Sequence, residues 1–110
     1  MTLLPYPPMR YVSPPVDGDS PWYPPRSQLL AGAKAWWELD VYGGGVLVGL
    51  YEGGVLRFFE GQEPHPGYRR VEHERETTVE KVLSTREAPF LTTDFQFLEE
   101  LLSDLAALED

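Results

Sequence analysis

Proline is concentrated at the start of this 110-residue chain and restricts what that part can become. Eight of the eleven prolines lie in the first 25 residues: Pro5, Pro7, Pro8, Pro14, Pro15, Pro21, Pro24 and Pro25. Each proline fixes φ near −65° and lacks a backbone donor, so this stretch is neither a helix interior nor a central strand. We therefore expect residues 1–28 to form an extended arm rich in polyproline II geometry.

The arm also carries aromatic residues, which a purely disordered tail rarely does. Those that stand between the prolines are Tyr6, Tyr11, Trp22 and Tyr23. Rigid aromatic side chains bury a large area at small entropic cost. We expect the arm to pack on the domain or on a neighbouring subunit, with Trp22 and Tyr23 as its anchors.

The segment from residue 35 to residue 60 predicts an antiparallel meander. Apolar residues at 37, 39 and 41 alternate with acidic residues at 38 and 40, which indicates a strand with one buried face. Glycines at 43–45 end this strand, and the segment 46–51, apolar on both faces, predicts a central strand. Gly53-Gly54 then predicts a two-residue hairpin turn into a third strand at 55–60.

The charged segment that follows predicts an edge strand. Within Tyr68–Thr77, charged residues at 70, 72, 74 and 76 alternate with Val71, His73 and Arg75, which is typical of a solvated edge that resists pairing with other sheets. The segment 78–85 fits either a strand or a helix. In a helix, Val79, Val82 and Leu83 would share one face and Thr78 would be the N-cap.

The C-terminal segment predicts an amphipathic helix that begins after Pro89. Thr93 and Gln96 fit a capping box, and Asp94 suits the first helical turn. Leucines recur at three- and four-residue steps and form one apolar stripe. They are Leu98, Leu101, Leu102, Leu105 and Leu108.

The adjacent pair Trp36-Trp37 constrains how these elements pack. Neighbouring residues on a strand point to opposite faces, so both rings are buried only if both faces of the sheet are covered. The C-terminal helix covers one face, and the arm or a second subunit covers the other. The predicted fold is α+β: a three- to four-stranded antiparallel meander in a single domain at 29–110, with the C-terminal helix and the arm at 1–28.

Charge and composition exclude several classes of function. Nine basic and eighteen acidic residues give a net charge of −9, whereas nucleic-acid binders need a basic face. No apolar run approaches the roughly 20 residues of a membrane span, and the absence of cysteine excludes thiol chemistry and disulfides. We expect a cytoplasmic protein, of bacterial or phage origin, that contacts neither membrane nor nucleic acid.

The excess of acidic over basic residues is largest near the C-terminus. Residues 89–110 hold six acidic side chains and no basic one: Asp94, Glu99, Glu100, Asp104, Glu109 and Asp110. Negative charge at a helix C-terminus opposes the helix dipole, so this helix is not built for stability alone. The face either keeps the protein in solution or meets a basic surface of a partner, which would speed association.

The sequence motifs that would indicate a catalytic site are weak in this chain. His65 and His73 with one carboxylate would give a metal site only if the loop around His65 folds back, and no paired histidine spacing supports it. No serine lies on a Gly-x-Ser-x-Gly elbow, and the glycines at 43–45 run into a strand instead of opening a helix as a phosphate loop does. Glu52 and Glu60 are expected at strand ends, facing solvent.

These observations predict a small protein-binding domain without catalysis, of the accessory, inhibitor or immunity type, that needs no cofactor and no metal. The predicted contact residues are Glu99, Glu100, Asp104, Trp22, Tyr23 and Trp36. A homo-oligomer, at least a dimer, whose arm exchanges between subunits is the alternative. A metal-dependent enzyme that uses His65 and His73 is a distant third.

Overall fold

The computed structural model describes residues 10–12, 15, 22–41, 43–65, 68–89 and 95–109. Within these ranges the chain forms six strands and three helices. In chain order they are β1 (Arg10–Tyr11), β2 (Trp22–Tyr23), α1 (Arg26–Leu29), β3 (Ala35–Val41), β4 (Gly44–Tyr51), β5 (Val55–His65), β6 (Tyr68–Thr78), α2 (Val79–Thr85) and α3 (Phe95–Glu109). The α+β class is confirmed. None of the helices in these ranges is long and apolar enough to cross a membrane.

The strands form one sheet in the order β1-β3-β4-β5-β6-β2. The central four are an antiparallel meander, as predicted, but the arm adds a strand at each edge of it. β1 pairs antiparallel with β3, and β2 pairs parallel with β6, which makes the sheet mixed. The predicted sheet of three to four strands is therefore smaller than the sheet of six strands that forms. The arm–domain division at residue 28 stays a prediction, and α1 runs across it.

Glycines shape the first two of the three hairpins of the meander, although differently from the prediction. The loop between β4 and β5 has three residues, 52–54, instead of two, and both its glycines take positive φ values of 82° and 76°. Gly43, with φ of 86°, lies in the turn between β3 and β4. Gly44 and Gly45, expected in that turn, instead begin β4 and pair with Gln62 and Gly61 of β5.

One side of the sheet, here called the helix face, packs against α2 and α3. Its buried sheet residues are Ala35, Trp37, Leu39, Val46, Val48, Leu56 and Phe58. From the helices, Val79 and Val82 of α2 and four residues of α3 complete this core: Phe97, Leu101, Leu102 and Leu105. Alternation along each strand places these side chains on one face, so burying them fixes the register of the meander.

The ambiguous segment after β6 is resolved as the helix α2. The Thr78 hydroxyl accepts a hydrogen bond from the Lys81 backbone N–H at 3.1 Å, which caps the first turn. Arg86 ends the helix in a left-handed conformation with φ of 57°. Strand β6 ends at Thr78, so the predicted strand at Tyr68–Thr77 is confirmed to within one residue.

Helix α3 differs from its predicted stripe at both ends. Phe97, which the leucine spacing did not include, is buried, and Leu108 is 43% exposed. The Trp37 indole N–H donates to the Asp104 carboxylate at 2.8 Å, which attaches the helix to β3. The predicted capping residues Thr93 and Asp94 lie outside the described residues.

The opposite side of the sheet, here called the arm face, has its own smaller core. Trp22, Leu30, Trp36, Leu47 and Phe59 are buried there, and Val71 packs against them. Tyr11 of β1 stacks on Trp36 with 4.4 Å between ring centroids. Both tryptophans of the pair are therefore buried, Trp36 at 6% exposure and Trp37 at 0%, and the arm supplies part of the cover over Trp36.

The two leucines near the end of α3 provide a direct test of this packing. Leu105→Ala removes a fully buried side chain and should lower the free energy of unfolding by about 2–5 kcal/mol. Leu108→Ala makes the same chemical change on the same helix at an exposed position and should cost about 0.5 kcal/mol or less. Urea denaturation followed by circular dichroism measures both. Equal losses would contradict the placement of α3.

Candidate functional site

The three predicted contact residues of α3 occupy different environments. Glu99 is exposed and forms an ion pair with Arg86 at 3.4 Å. Glu100 is half-buried. Asp104 is also half-buried and accepts the hydrogen bond from Trp37. Asp104 thus has a role within the fold, whereas Glu99 is directed to solvent.

The predicted aromatic contact residues also occupy different environments. Trp22 and Trp36 are 4% and 6% exposed, so their rings lie in the core of the arm face. Tyr23 is 59% exposed and stacks with Tyr68, with 6.1 Å between ring centroids. Tyr68 is itself 37% exposed, so this pair forms an aromatic surface at the edge where β2 meets β6. Tyrosine is enriched in protein interfaces because it combines an apolar ring with a polar tip.

A cluster of charged side chains surrounds Glu38 on the arm face. Its carboxylate lies 3.2 Å from the Arg26 guanidinium and 3.7 Å from that of Arg69, and it accepts a hydrogen bond from the Trp22 indole at 3.3 Å. Arg69 also lies 3.5 Å from the Glu63 carboxylate. These side chains are only 13–24% exposed, so their charges compensate one another in a poorly solvated place.

Sequence reasoning missed this cluster because the alternation of Glu38 with buried residues of β3 predicts a solvated face. One signal was available. Glu38 is two residues from Trp36 and therefore shares its face. If Trp36 is buried, Glu38 must find cations, and the arm and β6 supply them as Arg26 and Arg69.

Two glycines form the floor beneath the Trp22 ring. Gly45 and Gly61 are paired across β4 and β5. A Cβ added to Gly61 would overlap the ring, and its three nearest atoms would all belong to Trp22. A Cβ on Gly45 would lie 3.2 Å from the ring. The Arg69 guanidinium lies 5.7 Å from the ring centroid. We call the site around this ring the Trp22 slot, and it consists of Gly45, Gly61, Glu38 and Arg69.

The arm face is also held at its other end by Tyr51. The Tyr51 hydroxyl donates to the Leu29 carbonyl at 2.9 Å and so ties α1 to the last residue of β4. Burial raises the pKa of Tyr51, the nearby Arg57 charge lowers it, and Glu74 raises it further. The Arg57 guanidinium lies 5.2 Å from the centroid of the Tyr51 ring.

Among the described residues, two open spaces lie near the β4–β5 loop. The smaller, about 130 Å³, is lined by Lys34, Leu50, Tyr51, Gly54, Val79, Leu105 and Leu108. The wider, about 610 Å³, is lined by Gly53, Gly54, Thr78, Val79, Glu80, Leu83 and Ser84. Lys34 and Glu80 are exposed, and the Tyr51 hydroxyl is already bonded to a carbonyl. The wall of the wider space also includes Thr78 and Ser84, whose hydroxyls bond to the backbone of α2.

The two histidines considered as metal ligands are placed as follows. His73 lies on β6, where it is exposed and pairs in register with Glu60 of β5. His65 ends β5, and its side chain lies outside the described residues. In the described part of the chain, no three histidine, aspartate or glutamate side chains are grouped as metal ligands would be. Glu60 is buried at 4% exposure, unlike its predicted place at a solvated strand end.

Comparisons with protein families, with curated proteins and with solved structures find no match to this chain.

Removing the charge of Glu38 should destabilise the fold. Glu38→Gln keeps an acceptor for the Trp22 indole but leaves Arg26 and Arg69 with less compensation, which we expect to cost about 2–3 kcal/mol, somewhat less than for a fully buried pair. Glu76→Gln is the matched control, because Glu76 pairs with Arg57 at 3.3 Å where both side chains are about half exposed. That change should cost under about 1 kcal/mol. Chemical denaturation of both variants tests the difference, and similar costs would contradict the cluster.

The hydroxyl of Tyr51 should give stability that depends on pH. A raised pKa means that the folded state favours the neutral phenol, so this contribution is complete below the ordinary pKa of 10.0 and is lost as pH rises through the folded pKa. Tyr51→Phe should cost about 1 kcal/mol at neutral pH through loss of the bond to Leu29. The gap between Tyr51→Phe and the natural chain should shrink at about pH 11, as measured by urea denaturation. A gap that widens there would show the opposite sign.

Proposed function

We propose that this chain is a non-catalytic protein-binding domain whose α3 helix presents an acidic face to a basic surface of another protein. One observation carries the proposal. Helix α3 is fixed to the sheet by its buried apolar face, and its other positions include Glu99 and Glu100 with no lysine or arginine anywhere in the helix.

The electrostatics of α3 are unfavourable within the chain alone. Its last turn holds no basic residue to complement the negative end of the helix dipole, and Glu100 and Asp104 are four residues apart, where like charges repel. A positively charged side chain of a partner would reduce the unfavourable free energy of the helix dipole and of the repulsion between Glu100 and Asp104. Such complementarity raises the association rate and gives specificity more than it adds affinity.

The ion pair of Glu99 with Arg86 does not prevent this role. The two side chains are 68% and 61% exposed, and ion pairs so exposed contribute only about 0.2–1 kcal/mol. A partner's arginine can therefore replace Arg86 at small cost. The stacked Tyr23 and Tyr68 supply a separate aromatic surface, which suits a second contact.

The partner we infer is a protein with a basic surface, and an accessory, inhibitor or immunity-type role in the cytoplasm fits the size and charge. The scaffold supports this role in a specific way. Both faces of the sheet are buried by the chain itself, so the outward face of α3 is available without unfolding any of the core.

Charge reversal tests the proposal without disturbing the core. Glu99→Lys/Glu100→Lys should abolish capture of a salt-sensitive partner from host lysate, while Asp104 is kept because it bonds to Trp37. Glu72→Lys/Glu74→Lys is the matched control, because it makes the same charge change at two exposed glutamates of β6 that are separated only by His73. The control should keep the partner. The captured partner is identified by mass spectrometry, and the amount that each variant retains is compared at low and at high salt.

The proposal would be overturned if both double variants lost the partner equally, since net charge alone would then explain binding. It would also be overturned if the α3 variant kept the partner. Half-buried Glu100 requires a folding check, so the melting temperature of each variant is measured first. Glu99→Gln/Glu100→Gln, which introduces no new charge, should weaken binding by a smaller factor.

A further inference from the structure

We propose that the Trp22 slot is an indole-binding site and that the Trp22 of a second copy of this chain can occupy it in exchange for the chain's own. The inference does not use the acidic face of α3. It rests on the geometry of the arm face, and the copy that donates the arm contributes a residue to the site of the copy that receives it.

The slot has three features that together suit an indole. Its floor is flat because Gly45 and Gly61 lack side chains where the ring lies. Glu38 accepts the indole N–H at 3.3 Å at the edge of the ring, and a phenyl ring has no donor to place there. The Arg69 guanidinium lies 5.7 Å from the ring centroid, a distance at which cations are attracted to an indole face.

Exchange is possible because the slot keeps its charges compensated when the ring leaves. Glu38 retains Arg26 at 3.2 Å and Arg69 at 3.7 Å, and Arg69 retains Glu63 at 3.5 Å. Departure of Trp22 therefore exposes apolar surface and one carboxylate oxygen but leaves no buried charge alone. The backbone pairing that accompanies the ring, β2 with β6, involves only two residues of β2.

A second copy is the occupant that matches the slot in every contact, because its arm carries the same ring in the same sequence. Reciprocal exchange fills both slots and gives a closed, two-fold symmetric dimer. The chain's own arm has a high effective concentration, so the closed monomer dominates in dilute solution. Exchange can be detected when a chain's own Trp22 can no longer occupy its own slot.

Two complementary variants remove it. Trp22→Ala has an open slot and no ring to fill it. Gly61→Val keeps Trp22 but blocks the slot, since the atoms nearest to a Cβ at this position all belong to that ring. Gly61 is not among the glycines with positive φ, so its backbone accepts valine.

The decisive experiment mixes ¹⁵N-labelled Gly61→Val with unlabelled Trp22→Ala at high concentration. The Trp22 indole N–H resonance of the labelled chain should shift on titration, and sedimentation should show a one-to-one heterodimer. The matched control is the unlabelled double variant Trp22→Ala/Gly61→Val, which should leave the resonance unchanged. An indole resonance that does not move in the Trp22→Ala mixture would overturn the exchange.

If Gly61→Val does not fold, a peptide tests the same site. A synthetic peptide of residues 19–25 should bind ¹⁵N-labelled Trp22→Ala saturably, with a dissociation constant of roughly millimolar, and shift the amides of Gly45 and Gly61. Replacing tryptophan in the peptide by benzothienylalanine exchanges the N–H for sulfur and should weaken binding about tenfold. No saturable shift, or equal binding of both peptides, would overturn the indole site.

Discussion

The fold depends on two adjacent tryptophans of β3 that point to opposite faces of one sheet. Burying both requires a layer on each side, and each layer is fixed by a hydrogen bond between an indole and a carboxylate. On the helix face, Trp37 of the sheet donates to Asp104 of α3 at 2.8 Å. On the arm face the roles are reversed, since Trp22 of the arm donates to Glu38 of the sheet at 3.3 Å. Polar groups thus orient both apolar layers.

The helices and the arm pack against sheet faces of different shape. A helix packs through large side chains, and the helix face supplies Val46, Val48 and Phe58. The arm brings its own large ring and needs space, which Gly45 and Gly61 provide. The same arm also pairs with both outer strands of the meander, so it covers a face and shields part of each edge that would otherwise invite pairing with other sheets.

Local patterns predicted most of the scaffold, and contacts between distant residues account for what they missed. The alternation in β3, the apolar run of β4 and the leucine spacing of α3 are local and identified their elements. Strands β1 and β2 have two residues each and exist only through pairing with distant strands, so no local period marks them. Because glycine usually indicates a turn, the sequence did not reveal that Gly45 lies beneath the Trp22 ring. Because Glu38 is charged, the sequence predicted that its side chain faces solvent. The predicted contact residues were chosen by residue type, which does not distinguish buried Trp22 from exposed Tyr23.

The acidic residues separate into two groups once their contacts are known. Glu38 and Asp104 hold the fold, because each accepts a hydrogen bond from a buried tryptophan. Glu63 supports the same arrangement, because it pairs with Arg69, which also lies beside Glu38. Within the described part of the chain, Glu99 pairs with Arg86 at an exposed position, so exchanging this partner costs the fold little. The net charge of −9 already counts Arg26 and Arg69 against Glu38 and Glu63, so most of the negative charge lies on other acidic side chains. In the function we propose, recognition uses the outward glutamates of α3, because their negative charge is neither compensated within the helix nor needed by the core.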